Sequence, residues 1–176
     1  MKTMPKPTYA GLSNLTSQGA SRSTLRPGQL FFFPEGVLAF EHARQFVFLC
    51  KPETAPFIFM RALEPAYLGF VCIDPFLICP DYQPRISDAD AAFLELNTPD
   101  EALLLSVVNP APDVRQTTAN LQGPMVINLR TGRGRQILCE NQNYPVRYAI
   151  WNALEQRDAD TCRTPVRLEE PVCSAA

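Results

Sequence analysis

The stretch GPMVINLRTGRGRQILC, residues 123–139, contains two short apolar runs on either side of a glycine-rich turn. The runs are Pro124–Leu129 and Arg135–Cys139, and Thr131–Gly134 separates them. Apolar runs of this length, rich in β-branched residues and bounded by turn residues, are typical of strands. Glycine reaches positive φ without steric cost, as tight hairpin turns require. The stretch therefore predicts a β-hairpin.

Six further runs have the same character, being short, aromatic or β-branched, and bounded by Pro, Gly, Asn or Asp. They predict strands at Gln29–Phe33, Gln45–Leu49, Pro56–Ala62, Tyr67–Ile73, Leu103–Asn109 and Pro145–Trp151. The 17 prolines among 176 residues also favour strands, because proline breaks helices and sits at strand ends and in loops. The predicted fold is mostly β, a small antiparallel sandwich or partly closed β-barrel with one short α-helix.

That α-helix is predicted over about residues 87–97. Ser87 can cap its N-terminus, and Asp88 and Asp90 place negative charge in the first turn, where the helix dipole favours it. Pro99 ends it. The apolar stripe expected to face the sheet consists of Ala89, Ala92, Phe93 and Leu96.

The two ends of the chain differ in composition from the middle. Residues 1–28 carry four cations and no acid, without a periodic apolar pattern, which predicts a disordered basic tail. Residues 157–176 predict a flexible C-terminal tail, so one β domain spans 29–156. Its last segment, from Val146 to about Gln156, fits both a helix and a strand. Neither a secretory signal nor an 18-residue apolar run is found, so we expect a cytoplasmic protein.

The residues that usually carry catalysis or bind metals are few. Four of the six cysteines lie in or beside apolar runs, which predicts reduced core thiols rather than disulfides. The chain has no CxxC pair, and its one histidine, His42, cannot complete a usual zinc site, so no metal or cofactor is predicted. No cysteine has neighbours that would lower its pKa. An enzyme with a Cys nucleophile and His42 as base stays open as an alternative.

Charge is unevenly distributed along the chain. Residues 31–129 contain twelve acids and only five Lys or Arg, whereas residues 1–30 contain cations alone. An acidic body does not predict a nucleic-acid partner, because phosphate contacts need clustered cations. It suits either a basic protein partner or simply a well-solvated surface.

Four stretches, in order, resemble one known family. They are FFFPEGVLAFE (Phe31–Glu41), FVCIDPFLICPDY (Phe70–Tyr82), TTANLQGPMVINLRTGRGRQIL (Thr117–Leu138) and YPVRYAI (Tyr144–Ile150). Together they resemble the flagellar assembly factor family FliW, with the TANL and VIN elements of the third stretch the most distinctive. Ala39 stands where the family's turn usually has glycine.

The resemblance implies a regulatory, chaperone-like role. Members of the family bind newly made flagellin in the cytoplasm and also bind CsrA, an RNA-binding translational regulator. Flagellin and CsrA compete, so that secretion of flagellin frees the factor to sequester CsrA and relieve repression of flagellin translation. The implied partners are thus two proteins, with no direct contact to nucleic acid or membrane and no catalysis.

Three groups of residues follow as candidates. CsrA-type proteins present basic surfaces, so an acidic surface that faces CsrA is expected at Asp81, Asp88, Asp90, Asp100 and Glu101. Flagellin's terminal segments are amphipathic helices that need a groove, for which the candidates are Phe76, Leu77, Ile78 and Tyr82. The residues of the family motif that we interpret as mainly structural are Asp74, Pro75, Asn120, Pro124, Asn128 and Arg147, the last expected to pair with Asp74 or Glu41.

A third class of function also stays open, a β-barrel that binds a small molecule and has no protein partner. It predicts a ligand-sized apolar cavity in the mouth of the barrel, whereas the FliW-like interpretation predicts an interior filled with side chains.

Overall fold

The computed structural model of this chain describes residue 25 and residues 28–139 and 143–155. Apart from residues 25 and 28, the predicted basic tail lies outside the described residues, as does the whole predicted C-terminal tail. Within the described part the strands are β1 (Leu30–Phe32), β2 (Gln45–Leu49), β3 (Ile58–Ala62), β4 (Gly69–Ile73), β5 (Ala102–Asn109), β6 (Thr118–Ala119), β7 (Met125–Asn128), β8 (Gly134–Gln136) and β9 (Tyr148–Ala149). The helices are α1 (Asp88–Phe93) and α2 (residues 150–155).

All nine strands belong to one sheet in which every strand pair is antiparallel. Its order is β1-β2-β3-β4-β5-β6-β9, while β7 pairs with both β5 and β8. The edge of β1 touches the β7–β8 hairpin through a single bridge between Phe32 and Arg133, where the Phe32 N–H donates to the Gly132 carbonyl at 2.8 Å. One bridge does not continue the ladder, so the sheet curls without closing. The predicted architecture, mostly β, antiparallel and only partly closed, is confirmed.

Two hydrophobic cores lie on opposite faces of this sheet. The phenylalanine core contains Phe31, Phe33, Phe46, Phe48, Ile58 and Met60 with their neighbours. The helix-side core contains Ile73, Ile78, Tyr82, Leu94, Leu96, Leu104 and Ile150 with theirs. Successive side chains of a strand point to opposite faces, so in β5 Leu103 contributes to the phenylalanine core and Leu104 to the helix-side core. The long apolar run of β5 therefore reflects burial on both faces.

The predicted hairpin is present, although its second strand is shorter than expected. Val126 pairs with Arg135, and Gly132 takes a φ of 74° in the turn. The strand was predicted to reach Cys139 but ends at Gln136. Beyond that point the chain bonds to the loop before β7, where the Cys139 N–H donates to the Gln122 carbonyl at 2.8 Å.

The predicted helix starts as expected and ends earlier. The Ser87 hydroxyl accepts from the Asp90 N–H at 3.1 Å, which is the predicted cap. After Phe93 the chain turns, because Glu95 adopts a φ of 57° and the Leu96 N–H donates to the Ala91 carbonyl at 2.9 Å. This left-handed termination is typical of helix C-termini.

The early end of α1 makes the predicted apolar stripe partly wrong. Ala89 and Ala92 are exposed and Phe93 is half-buried, while Ala91, Leu94 and Leu96 are buried. The helical spacing stops at the turn, so Leu96 reaches the core from a different direction than a longer helix would give it.

The ambiguous last segment turns out to contain both predicted structures in succession. Tyr148 and Ala149 form β9, which lies within the predicted strand Pro145–Trp151. It pairs with β6, a two-residue strand that was not predicted. Helix α2 then begins at Ile150, whose side chain is fully buried in the helix-side core.

The turn at Val37–Phe40 contains a strained residue. The Phe40 N–H donates to the Val37 carbonyl at 2.7 Å, and between them Ala39 has a φ of 70°. A left-handed conformation costs a non-glycine residue about 1–2 kcal/mol, which glycine avoids at some cost in chain entropy. We therefore expect Ala39→Gly to raise the free energy of unfolding by about 0.5–1 kcal/mol.

Urea titration followed by the fluorescence of Trp151, the only tryptophan, measures this change. Ala92→Gly is the matched control, because Ala92 is exposed and helical, and there glycine should destabilise by about 1 kcal/mol. A loss of stability in Ala39→Gly as well would contradict the assignment of strain to Ala39.

Candidate functional site

The five predicted acidic residues fall into two groups. Asp81, Asp88 and Asp100 are exposed at the surface. Asp90 and Glu101 are half-buried and pair with arginines of the same chain. Only the first three therefore present carboxylates that are not already neutralised in an ion pair within the described part of the chain.

Asp90 belongs to a cluster around the ring of Phe93. Arg135 pairs with Asp90 at 2.9 Å and with Glu35 at 3.0 Å, and its guanidinium lies 4.5 Å from the Phe93 ring centre. Arg133 lies against the same ring at 5.1 Å. Because Arg135 reaches from β8 to α1, this cluster joins the helix to the hairpin, and the Asp90 carboxylate is already engaged within the chain.

Glu101 joins the turn before β5 to the hairpin. Its carboxylate accepts from the Asn97 N–H at 2.8 Å and from Arg130 Nε at 2.9 Å. Burial acts to raise the pKa of Glu101, but the bonds from Asn97 and Arg130 outweigh it and hold the pKa below its ordinary value. The ionised form is therefore the one that the fold stabilises.

A pH-dependent effect on stability follows for Glu101→Gln. A carboxyl group whose pKa is lower in the folded state stabilises the fold above its unfolded pKa, and this contribution disappears as the pH falls through the folded pKa. We expect the variant to lose about 0.5–1 kcal/mol at pH 7, since the Arg130 partner is half exposed. Below the folded pKa of Glu101, wild type and variant should be equally stable.

Thermal unfolding of both proteins between pH 7 and pH 3 measures the difference. Glu53→Gln, at an exposed residue in the turn Pro52–Thr54, is the control for the loss of one carboxylate from the surface. A constant difference between wild type and Glu101→Gln at all pH values would show that the charge of Glu101 is not what matters.

The residues predicted to line a flagellin groove are mostly core. Ile78 and Tyr82 are buried, and the Tyr82 hydroxyl donates to the Leu121 carbonyl at 2.6 Å. Phe76 and Leu77 are half-buried and pack against the helix-side core. The prediction of an open groove is therefore wrong for Ile78 and Tyr82.

The local cause is the turn Pro75–Leu77, which folds this apolar run back onto the sheet. Asp74 caps the turn by accepting from the Phe76 N–H at 2.9 Å, and Pro75 occupies its first position. The Asp-Pro dipeptide thus has the structural role that was predicted for it.

The two asparagines of the motif satisfy backbone groups in turns. Asn120 Oδ1 accepts from the N–H groups of Gln122 and Gly123 at 3.0 and 2.9 Å. Asn128 is fully buried and makes four such bonds, two as donor and two as acceptor. Both residues stabilise turns between strands.

The structural roles predicted for Pro124 and Arg147 compare differently with the structure. Pro124 is buried directly before β7, a position at the start of a strand where the missing N–H of proline is tolerated, and its carbonyl accepts from the Ile137 N–H at 2.9 Å. Arg147 is exposed and takes part in none of the five ion pairs found within the described residues. The predicted pairing of Arg147 with Asp74 or Glu41 is not observed, and the Glu41 carboxylate instead accepts from the Ala39 N–H at 3.0 Å.

The structure shows an apolar surface that was not predicted as a site. We call it the β2–β4 groove, a depression of about 560 Å³ over β2, β3 and β4. Its residues include Leu49, Lys51, Phe59, Arg61, Tyr67 and Val71. Strands β2 to β4 are apolar on both faces (QFVFL, IFMRA, GFVCI), a pattern typical of strands covered on both sides. This apolar pattern on both faces was the signal in the sequence for such a surface, since the described residues cover only one face of β2 to β4.

No cysteine in the described part of the chain lines the depression beside His42, the base of the enzyme alternative. The depression next to the exposed His42 is lined by Phe32, Arg44, Gln45 and Glu64. Burial raises the pKa of the Cys72 thiol to about 12 and also raises the pKa of Cys79 and Cys139. A thiol is a nucleophile only as thiolate, so these three environments disfavour that chemistry.

Comparison with known proteins relates the described fold to one family. A sequence profile described as "FliW protein" matches residues 14–150. The "Flagellar assembly factor FliW" of Caldicellulosiruptor saccharolyticus is 34% identical over 125 residues, 71% of this chain and 82% of that protein. That of Thermotoga neapolitana is 32% identical over 129 residues, 73% and 87% of the two chains.

The folds also agree. A structure described as "Crystal structure of the flagellar assembly factor FliW" has a TM-score of 0.66 to this chain and 32% identity. The two structures align over 72% of this chain and 88% of the chain in that crystal structure. The chain therefore belongs to the FliW family.

Proposed function

We propose that this protein is a cytoplasmic flagellar assembly factor that binds flagellin and antagonises the translational regulator CsrA by partner switching. In this scheme free flagellin occupies the factor, and its export releases the factor to sequester CsrA, so that flagellin translation resumes. The observation that carries the proposal is the match to FliW proteins, which extends over nearly the whole described β-sheet.

Two surfaces suit two protein partners of different chemistry. Asp81, Asp88 and Asp100 offer exposed carboxylates to a basic partner such as CsrA. The β2–β4 groove offers an apolar surface on another part of the sheet. Binding also suits the chain better than catalysis, since its described thiols are held protonated by burial in three of four cases.

Two further features are compatible with this role. The interior of the curled sheet is filled by Phe31, Phe33, Phe46 and Met60, all fully buried, which disfavours a ligand-binding barrel. No helix among the described residues has the length and apolar character needed to cross a lipid bilayer.

Calorimetry of the full chain against flagellin and against CsrA from the same genome tests the proposal. We expect saturable binding to each and displacement of CsrA by flagellin. If neither partner bound at about 50 µM, a concentration at which even weak specific complexes form, the proposed function would be wrong.

The acidic surface has a separate test. The triple variant Asp81→Asn, Asp88→Asn, Asp100→Asn should bind CsrA about 10-fold more weakly at low salt, because complementary charge mainly speeds association. The loss should shrink as salt is added, since exposed charges are screened. The control is Glu53→Gln with Glu64→Gln, two exposed acids elsewhere. An unchanged affinity and salt dependence in the triple variant would remove these residues from the interface.

A further inference from the structure

The β2–β4 groove has a floor built by strand register. Leu49 of β2 lies opposite Phe59 of β3, and Phe59 lies opposite Val71 of β4. The three side chains therefore form a row across three strands, about 5 Å apart, on the face away from the phenylalanine core. Leu49 is 40% exposed and Tyr67, at the rim, is 88% exposed. Large apolar and aromatic side chains at such exposure mark interaction surfaces when they form one contiguous patch.

The groove continues the helix-side core onto uncovered strands. Val71 and Phe57, which precedes β3, both pack against that core. The Phe57 ring packs edge-on against the ring of Trp151 in α2, with the two ring centres 6.4 Å apart. Over β5 and β7 the same face is covered by α1 and α2. Over β2 to β4 the described chain provides no helix.

The hydrogen bonding of the sheet determines what kind of segment can bind there. β2 is paired with β1 and β3, β3 with β2 and β4, and β4 with β3 and β5. None of the three strands has an open edge, so a partner cannot add a strand to them. A segment that binds this face must satisfy its own backbone groups, which an α-helix does. A helix about 10 Å wide also fits a row spanning two strand spacings.

Charge selects among amphipathic helices. Lys51 and Arg61 line the groove, and none of its described lining residues is acidic. This contrasts with residues 31–129 as a whole, where acids outnumber cations by twelve to five. A helix with acidic residues beside its apolar stripe complements both features.

We propose that the β2–β4 groove binds an amphipathic α-helix of a partner protein, apolar on the side facing Leu49, Phe59 and Val71 and acidic along the side facing Lys51 and Arg61. This inference rests on the proposed function, under which the helix is a terminal helix of flagellin. The flagellin site in the β2–β4 groove is then distinct from the acidic surface proposed to bind CsrA.

The test compares two groove variants with two matched controls. Tyr67→Ala removes an exposed ring and Lys51→Glu reverses a charge, and neither side chain is buried, so both proteins should fold. The controls are Val114→Ala, exposed at 57%, and Arg147→Glu, an exposed cation; neither residue lines the groove. Each protein is titrated calorimetrically with a peptide of the C-terminal helix of flagellin and, separately, with CsrA.

We expect Tyr67→Ala and Lys51→Glu each to weaken peptide binding about 10-fold, because tyrosine is enriched among the residues that dominate binding energy and because Lys51→Glu replaces an attraction to the acidic side of the helix by a repulsion. The controls and all CsrA titrations should match wild type. If wild type binds the peptide and the groove variants bind it equally well, the groove is not the site, although the proposed function stands. If wild type binds neither flagellin nor CsrA, both proposals are wrong.

Discussion

Asn128→Ala is expected to lower the free energy of unfolding by about 4 kcal/mol, among the largest effects of any single substitution in this chain. The Asn128 side chain is fully buried, and its Nδ2 donates to the carbonyls of Leu94 and Glu95, both at 2.9 Å. Its Oδ1 accepts from the N–H groups of Arg130 and Thr131 at 2.8 and 3.2 Å. Alanine removes all four bonds. The Glu95 carbonyl keeps its bond from Arg130 Nη2 at 2.8 Å, whereas the other three groups lose the Asn128 bond, and an unsatisfied buried group costs about 1–3 kcal/mol.

The size of the effect reflects the position of Asn128 between two elements. Its amide satisfies the carbonyls at the end of α1, which no residue of the helix itself can reach, while its carbonyl closes the β7–β8 turn. Losing it should therefore loosen α1 as well as the hairpin, so the far-ultraviolet circular dichroism of the variant should show less helix in mild urea.

Two other asparagines calibrate the measurement. Asn120 accepts two backbone bonds in a partly buried turn, so Asn120→Ala should cost about 1–2 kcal/mol. Asn109 is exposed at the end of β5, so Asn109→Ala should cost less than about 0.5 kcal/mol. Urea denaturation followed by Trp151 fluorescence ranks the three variants. If Asn128→Ala were no less stable than Asn109→Ala, the bridge between α1 and the hairpin would not contribute to stability.

The features that the sequence predicted correctly are those determined by neighbouring residues. The Ser87 cap forms because the hydroxyl and the Asp90 N–H are three residues apart. The hairpin forms because Gly132 supplies the positive φ between two apolar runs. Asp74 and Asn120, which the sequence marked only as structural, also bond to partners two or three residues away.

The features that the sequence did not predict depend on distant residues. Leu96 was assigned to a helical stripe, but the chain leaves α1 after Phe93 through a left-handed Glu95, whose carbonyl accepts a bond from Asn128, 33 residues away. Tyr82 was assigned to an open groove because it follows an apolar run, whereas its hydroxyl bonds to Leu121, 39 residues later. No local pattern contains such partners.

The candidate site shows the same division. Composition identified an acidic surface, but which acids remain unpaired depends on arginines 29 and 45 residues away, Arg130 for Glu101 and Arg135 for Asp90. The β2–β4 groove depends on the register that aligns Leu49, Phe59 and Val71, together with the end of the helical cover. A surface assembled in this way becomes visible only once three strands are paired.

The second large effect is expected for Gly36→Ala, which should lower the free energy of unfolding by about 3–5 kcal/mol. Gly36 has a φ of 71°, and its N–H donates to the Phe33 carbonyl at 2.9 Å in a tight loop. A Cβ at this position would lie 2.5 Å from Glu41 Cα and 2.6 Å from the Glu41 carbonyl oxygen. These are backbone atoms, so no side-chain rotation can relieve the overlap, and the two arms of the loop must move apart.

Gly28→Ala separates the two causes, because Gly28 has nearly the same φ, 74°, but no atom of the described residues lies within 4 Å of the added Cβ. That variant should lose only the conformational cost of about 1–2 kcal/mol, and the remainder for Gly36→Ala measures the close approach to Glu41. Both are compared by urea denaturation under the same conditions. If the two variants lost equal stability, the loop would be able to open without cost and the contact with Glu41 would not constrain it. If Gly36→Ala lost more, as we expect, the second arm of the loop, which leads through buried Ala43 into β2, must be held in place by the phenylalanine core.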